Sequence, residues 1–147
     1  MNNQPEVAIL LVEDNARDAE MILRTLRKRE MASHIVHVKD GQEALDFLFG
    51  SGAYAGRNTT HRPKLVLLDL KLPKLDGHEV LRAIRADERT RLQPVVIMTS
   101  SREERDVLGS YTHGVNSYVV KPTDFDRFTA AVAALGHYWL LINHEPT

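Results

Sequence analysis

The chain has 147 residues, with 19 Lys and Arg against 20 Asp and Glu and a formal net charge of −1. That length fits one domain with a real core, and a hydrophobic fraction of 43% excludes a disordered chain. The balanced charge does not favour nucleic acid as the main partner, and the absence of cysteine removes disulfides, thiolate metal sites and Cys nucleophiles, in keeping with a reducing compartment.

No basic residue precedes Arg17, and the apolar run Val7 to Val12 is far shorter than a signal core or a membrane span. A cytoplasmic protein without a membrane partner is expected. The run VAILLV reads as a strand buried on both faces. Ala19, Ile22, Leu23 and Leu26 then recur at helical spacing. Ile35 to Val38 is a shorter, more polar β-branched run, suited to a strand nearer an edge. Asp40 and Glu43 open a second helix, to Gly50, with Ala44, Leu45, Leu48 and Phe49 on one face. Ser51 to Arg62 is a long loop. Leu65 to Leu68 is a third strand, and Val80, Leu81 and Ile84 line a third helix that Gly77 helps begin.

Pro94 to Met98 is a fourth strand, and Ser101 with Glu104 is expected to cap a fourth helix over about Glu103 to His113. Ser117 to Val120 is a fifth strand. Thr123 is expected to cap a last helix with Phe125, Phe128, Val132 and Leu135 on one face. Five strand–helix units predict an α/β fold, a parallel sheet with helices on both faces and right-handed crossovers. The flavodoxin-like strand order 2-1-3-4-5 is the common solution for five units. One domain over 1–147 is expected, with a core over about 7–135 and a C-terminal extension over 136–147.

Open sheets of this kind bind ligands beyond the carboxyl ends of their strands. Here the first strand ends in Glu13-Asp14, the third in Asp69, the fourth in Thr99-Ser100 and the fifth in Lys121-Pro122. Alone, Glu13-Asp14 reads as a strand end with a helix cap, and Thr99 as a strand residue. Together, three converging carboxylates repel unless a cation joins them, and an all-oxygen donor set points to Mg2+. Lys121 offers a mobile positive donor and Thr99 a hydroxyl to a phosphoryl group, and Asp69 lies centrally enough to attack phosphorus.

These residues, set in VAILLVED, LVLLDLKLPKLDG, PVVIMTS and SYVVKP, resemble in order and spacing the motif set of response-regulator receiver domains of two-component systems. The resemblance implies that Asp69 is the phosphoacceptor for a sensor histidine kinase, and that Glu13, Asp14, Asp69 and the backbone carbonyl of Lys71 bind Mg2+. It implies that Thr99 and Lys121 hold the phosphoryl group, that Tyr118 is an aromatic switch coupled to Thr99, and that the Lys121–Pro122 bond is cis. Lys71 and Ser101, flanking Asp69 and Thr99, are expected to tune hydrolysis of the acyl phosphate. Within the family, VEDNARDA, the loop near Tyr54, NSYVVKPTDFDRF and the Tyr138-Trp139-Leu140 tail look most like single-domain regulators of phytochrome-type kinases. The receiver is then a phosphoacceptor that assists its own chemistry rather than a dedicated enzyme, and its output is protein contact.

Tyr138 and Trp139 are read as anchors of a symmetric homodimer, against the plainer alternative that Trp139 folds over the domain edge. The basic run Arg24, Arg27, Lys28 and Arg29 serves the helix dipole and solubility, or docks the kinase. Rival readings are a carboxylate phosphatase, for which residue 71 is Lys where DxDxT has an acid, and a flavin carrier, whose phosphate Glu13-Asp14 would repel. A phosphorylation-independent adaptor, or a phosphate sink or relay intermediate, keeps the same fold.

Overall fold

In a computed structural model, residues 7–29 and 34–144 are described. The expected extension therefore lies outside the described residues at its last three positions. Five short strands, β1 (Ile9–Val12), β2 (Ile35–Val38), β3 (Leu65–Leu68), β4 (Val95–Thr99) and β5 (Ser117–Val120), form one parallel sheet in the order β2-β1-β3-β4-β5. Between and after them run α1 (Ala16–Lys28), α2 (Gly41–Phe49), α3 (Gly77–Ala86), α4 (Glu104–Thr112) and α5 (Phe125–His137). The predicted fold and strand order are both present.

The apolar runs of β1, β3 and β4 are buried on both faces because helices cover both. Leu10, Val12, Val66 and Leu68 pack with Ala44, Phe47 and Leu48 of α2 and with Val80, Leu81 and Ile84 of α3. Ile9, Leu11, Leu65 and Leu67 pack on the other face with Ala19, Ile22 and Leu26 of α1 and with Phe128 and Val132 of α5. Each large side chain taken fully out of water contributes about 1.5–3 kcal/mol, which offsets the ordering of the chain. β2 and β5 are the edges, and only Val38 of these two strands is fully buried.

Local departures have local causes. Asp124, not Thr123, caps α5, its side chain accepting from Arg127 N–H. Phe125, the first residue of the helix, is exposed, while Phe128 and Val132 are buried. Glu103 rather than Ser101 precedes α4 and makes no side-chain cap, while the Ser101 hydroxyl donates to Asp106 and lies 3.4 Å from the Glu103 N–H. In α2 it is Phe47, with Ala44 and Leu48, that faces the core, while Phe49 lies half-buried under the Arg89 guanidinium. The loop after α2 contains a 3-10 turn, Gly52–Tyr54, whose Tyr54 ring meets Phe47 edge-on at 5.1 Å.

After α5 the chain continues into one π-helical turn, Tyr138–Ile142, closed by Asn143 N–H donating to the Tyr138 carbonyl at 2.7 Å. This wider turn rotates Trp139 onto the α1/α5 side of the core, where only 8% of its surface remains exposed. Trp139 is thus not a free interface anchor. Its indole is the largest apolar surface in the tail, and covering it at once removes more of that surface from water than waiting for a second chain. Tyr138, Leu141 and Ile142 stay exposed.

Candidate functional site

The parallel ladders run on past the strands and so aim their carboxyl ends at one point. Glu13 N–H donates to the Val38 carbonyl at 3.1 Å, Asp69 N–H to Val12 at 3.1 Å and Lys121 N–H to Thr99 at 2.7 Å. Glu13 and Asp69 continue fully buried apolar strands and Lys121 continues the half-buried edge strand β5, so all three side chains are carried to one place despite their charge. Glu13, Asp69, Thr99 and Lys121 are all buried, whereas Asp14 is exposed. Gly77 opens α3 directly beneath: a Cβ at that position would lie 2.5 Å from the Asp69 carbonyl oxygen, so only glycine lets the helix approach.

Lys121 Nζ is the hub. It donates to Glu13 Oε1 at 2.6 Å, Asp18 Oδ2 at 2.8 Å and Asp69 Oδ2 at 2.9 Å. The Lys71 amide lies 3.4 Å from Asp69 Oδ1, and Ser101 N–H lies at the same distance from the Thr99 hydroxyl oxygen. Glu13 is further fixed at both ends: its Oε2 accepts from Asn15 N–H at 3.2 Å, and its carbonyl accepts from His37 Nε2 at 2.8 Å.

The charges divide the two buried acids. Burial is the largest influence on Glu13 and pushes its carboxyl up to about 7, against the pull of Lys121 and with the help of nearby Asp69. Burial acts on Asp69 in the same sense, but the Lys121 charge and the hydrogen bonds of Lys121 and Thr99 outweigh it and hold the carboxyl below its usual range. Burial would lower Lys121; its bonds to Asp18 and Glu13 and the charge of Asp69 instead raise it, so the ammonium stays charged. Asp69 is therefore an ionised, largely buried carboxylate at neutral pH.

Three carboxylates meet one ammonium here, with Asp14 close by, an unbalanced set. Glu13, Asp14 and Asp69 each bring an oxygen to within 4.8 Å of the others. Hard oxygen donors at that spacing fit a divalent cation.

Nearly all of the sequence-predicted site residues converge. Glu13, Asp14, Asp69, Thr99 and Lys121 surround the pocket, with the Lys71 backbone beside it. Tyr118 lies at its far side, its hydroxyl donating to the Ser101 carbonyl at 3.0 Å. One expectation fails: the Lys121–Pro122 bond is trans, as are all peptide bonds among the described residues. Trans is the intrinsically preferred isomer even before proline, and Lys121 Nζ reaches its three acids with the bond in that form.

Three residues were missed. Asp18 reads in sequence as an acid in the first turn of α1, a helix-dipole partner. Nothing in its spacing from Lys121 marks the contact, since the two are 103 residues apart. His78 and Asp106 read as solvated helix positions, yet His78 Nε2 donates to Asp106 Oδ1 at 3.3 Å and Ser101 Oγ donates to Asp106 Oδ2 at 2.5 Å.

The model of the response regulator receiver domain family matches residues 9–133, the whole sheet and the first two thirds or so of α5. The chain belongs to this family. Among curated relatives of the receiver, the probable methanogenesis regulatory protein FilR2 of Methanothrix harundinacea is 42% identical over 139 residues, covering 94% of this chain and 86% of that one. The response regulator Rcp1 of Synechocystis is 37% identical, covering 95% and 92%. The crystal structure of Rcp1 in its Mn2+-bound form superposes with a TM-score of 0.88 at 36% identity, covering 97% of this chain and all of that one. The bacteriophytochrome response regulator AtBRR superposes with a TM-score of 0.73 at 50% identity, covering 95% and 100%. The receiver is thus a close relative of phytochrome response regulators, and its acidic cluster is one that could hold a divalent metal.

Proposed function

We propose that this receiver is a two-component phosphoacceptor: a sensor histidine kinase of the phytochrome type transfers its phosphoryl group to Asp69 with Mg2+ present, and the phosphorylated chain signals by protein contact. One observation carries the reading. Among the described residues, Asp69 is the single buried carboxylate held below its usual range, and it lies 2.9 Å from an ammonium able to turn to a phosphoryl oxygen. An Asp69 oxygen forms the O–P bond as the P–N bond of a phosphohistidine breaks, and the leaving imidazole nitrogen takes up a proton. Attack of water on phosphorus then breaks the aspartyl O–P bond and restores the carboxylate.

Lys121 and the Thr99 hydroxyl bind phosphoryl oxygens and orient the group. Glu13, Asp14, Asp69 and the Lys71 backbone carbonyl would hold Mg2+, whose chemistry there is to neutralise charge on those oxygens. Moving Thr99 and Lys121 toward the new group biases Tyr118 and the α4 surface, a two-state response to a local charge change. The Lys71 and Ser101 side chains flank the pocket and set access for the attacking water.

The likeness to Rcp1 and AtBRR supports a phytochrome-type kinase as partner. One receiver domain, with residues 136–147 as an extension, working in the cytoplasm without nucleic acid, fits the near-neutral charge. No described helix is long and apolar enough to cross a membrane. The exposed Tyr138, Leu141 and Ile142 suit the contact of a homodimer.

Phosphoramidate or acetyl phosphate with Mg2+, followed by intact mass, tests the reading. Wild type gains one phosphoryl group and Asp69→Asn gains none. An unlabelled wild type, or equal labelling of Asp69→Asn, overturns it.

A further inference from the structure

The three N–H groups of Lys121 meet three carboxylates, and two of these, Glu13 and Asp69, belong to the cation and phosphoryl chemistry. The third, Asp18, does not. It is the third residue of α1, and its backbone N–H is fixed by the Asn15 side chain at 3.0 Å. Its side chain is a quarter exposed, so its charge is tolerated without Lys121, yet its Oδ2 lies 2.8 Å from Nζ.

The geometry points to Asp18 as a positioning residue for Lys121: it anchors the ammonium to α1 so that a second N–H stays aimed at the Asp69 carboxylate. This rests on the phosphoacceptor reading above. During the reaction the other two acceptors change. Glu13 is shared with the cation, and the Asp69 oxygen loses charge as it bonds to phosphorus. Asp18 lies outside both changes and is held by the first helical turn, so it alone presents the same acceptor before and after transfer. Without it, a flexible four-carbon side chain must be ordered by groups that are themselves being altered.

A helix-dipole role for Asp18 makes a different prediction, since it acts on stability and leaves the rate alone. The experiment therefore follows phosphoramidate labelling of wild type, Asp18→Asn and Asp18→Glu across a range of Mg2+ concentrations, with thermal unfolding of each. For Asp18→Asn, labelling at saturating Mg2+ slows by roughly tenfold, the scale of one charge-assisted hydrogen bond, while half-saturating Mg2+ moves by less than about threefold. Asp18→Glu keeps the charge at the helix N-terminus but misplaces the oxygen, so it is slowed too, with an unchanged melting temperature. If Asp18→Asn fails to fold, Asp18→Glu carries the same comparison. Rates equal to wild type, or a loss that extra Mg2+ restores, would overturn the role of Asp18 alone. A wild type that takes no label overturns the phosphoacceptor reading and this assignment with it.

Discussion

The Ser101 hydroxyl lies 2.5 Å from Asp106 Oδ2, and this bond joins the β4–α4 loop to α4 beside the acidic pocket. The other Asp106 oxygen takes His78 of α3, and Tyr118 of β5 holds the Ser101 carbonyl. α4 buries only Ser110 among its nine residues, so apolar packing does little to place it. Its position is set by polar bonds centred on Asp106, and such bonds are easier to re-form elsewhere than a packed core is to shift.

A pH dependence follows from that carboxylate. The Ser101 hydrogen bond, with smaller help from His78 and the Lys71 charge, holds the Asp106 carboxyl below its usual range. A folded value below the unfolded one means stability that is present above the unfolded value of 3.8 and lost as pH falls through the lower folded value. Asp106→Asn keeps an oxygen for Ser101 but removes the charge. Urea midpoints measured from about pH 7 down to about pH 3 should show wild type more stable at neutral pH, with the gap closing at the acid end. A gap independent of pH would mean that the Asp106 charge is not what matters.

Tyr118→Phe removes one donor and leaves the Ser101 carbonyl short of a partner inside the fold. A loss of about 0.5–1.5 kcal/mol is expected, read as a lower urea midpoint at unchanged slope. No change in midpoint would place the ring, not its hydroxyl, in charge of the loop.

Lys121→Met tests the balance of the acidic pocket. Glu13 and Asp69 stay buried while their shared counter-charge goes, a change that costs about 3–5 kcal/mol when a buried pair is broken from one side. Mg2+ then becomes the sole cation available to those acids. The Mg2+-induced rise in melting temperature should accordingly be larger for Lys121→Met than for wild type, by linkage of binding to folding. Equal rises would argue against a cation site at these residues.

The order of the sheet and most of the pocket could be read from the sequence because they depend on neighbours along the chain. A continuous apolar run ending in Asp69 or Glu13 specifies both a buried strand and where its last side chain points. Asp18, His78 and Asp106 could not be read in this way, since their partners come from other elements and an acid in a first helical turn looks the same whether or not a lysine faces it. The α5 cap was misplaced by one residue because Thr123 and Asp124 are both good caps, and only the packing of Phe128 and Val132 chooses between them.

Trp139 and Leu141 separate folding from assembly within one helical turn. Trp139 fills the core between α1 and α5, so Trp139→Ala removes buried indole and should destabilise the isolated chain by about 3–5 kcal/mol. Leu141 and Ile142 are exposed, at 66% and 59%, and their replacement by Ser should shift stability by no more than about 0.5 kcal/mol. If the tail is the contact between two copies, the same double change moves sedimentation from dimer to monomer while the melting profile of the dilute chain is kept. Trp139→Ala would then lose dimer only in step with its loss of fold. A dimer that survives Leu141→Ser with Ile142→Ser places the contact elsewhere, and a wild type that sediments as monomer at every concentration removes the dimer altogether.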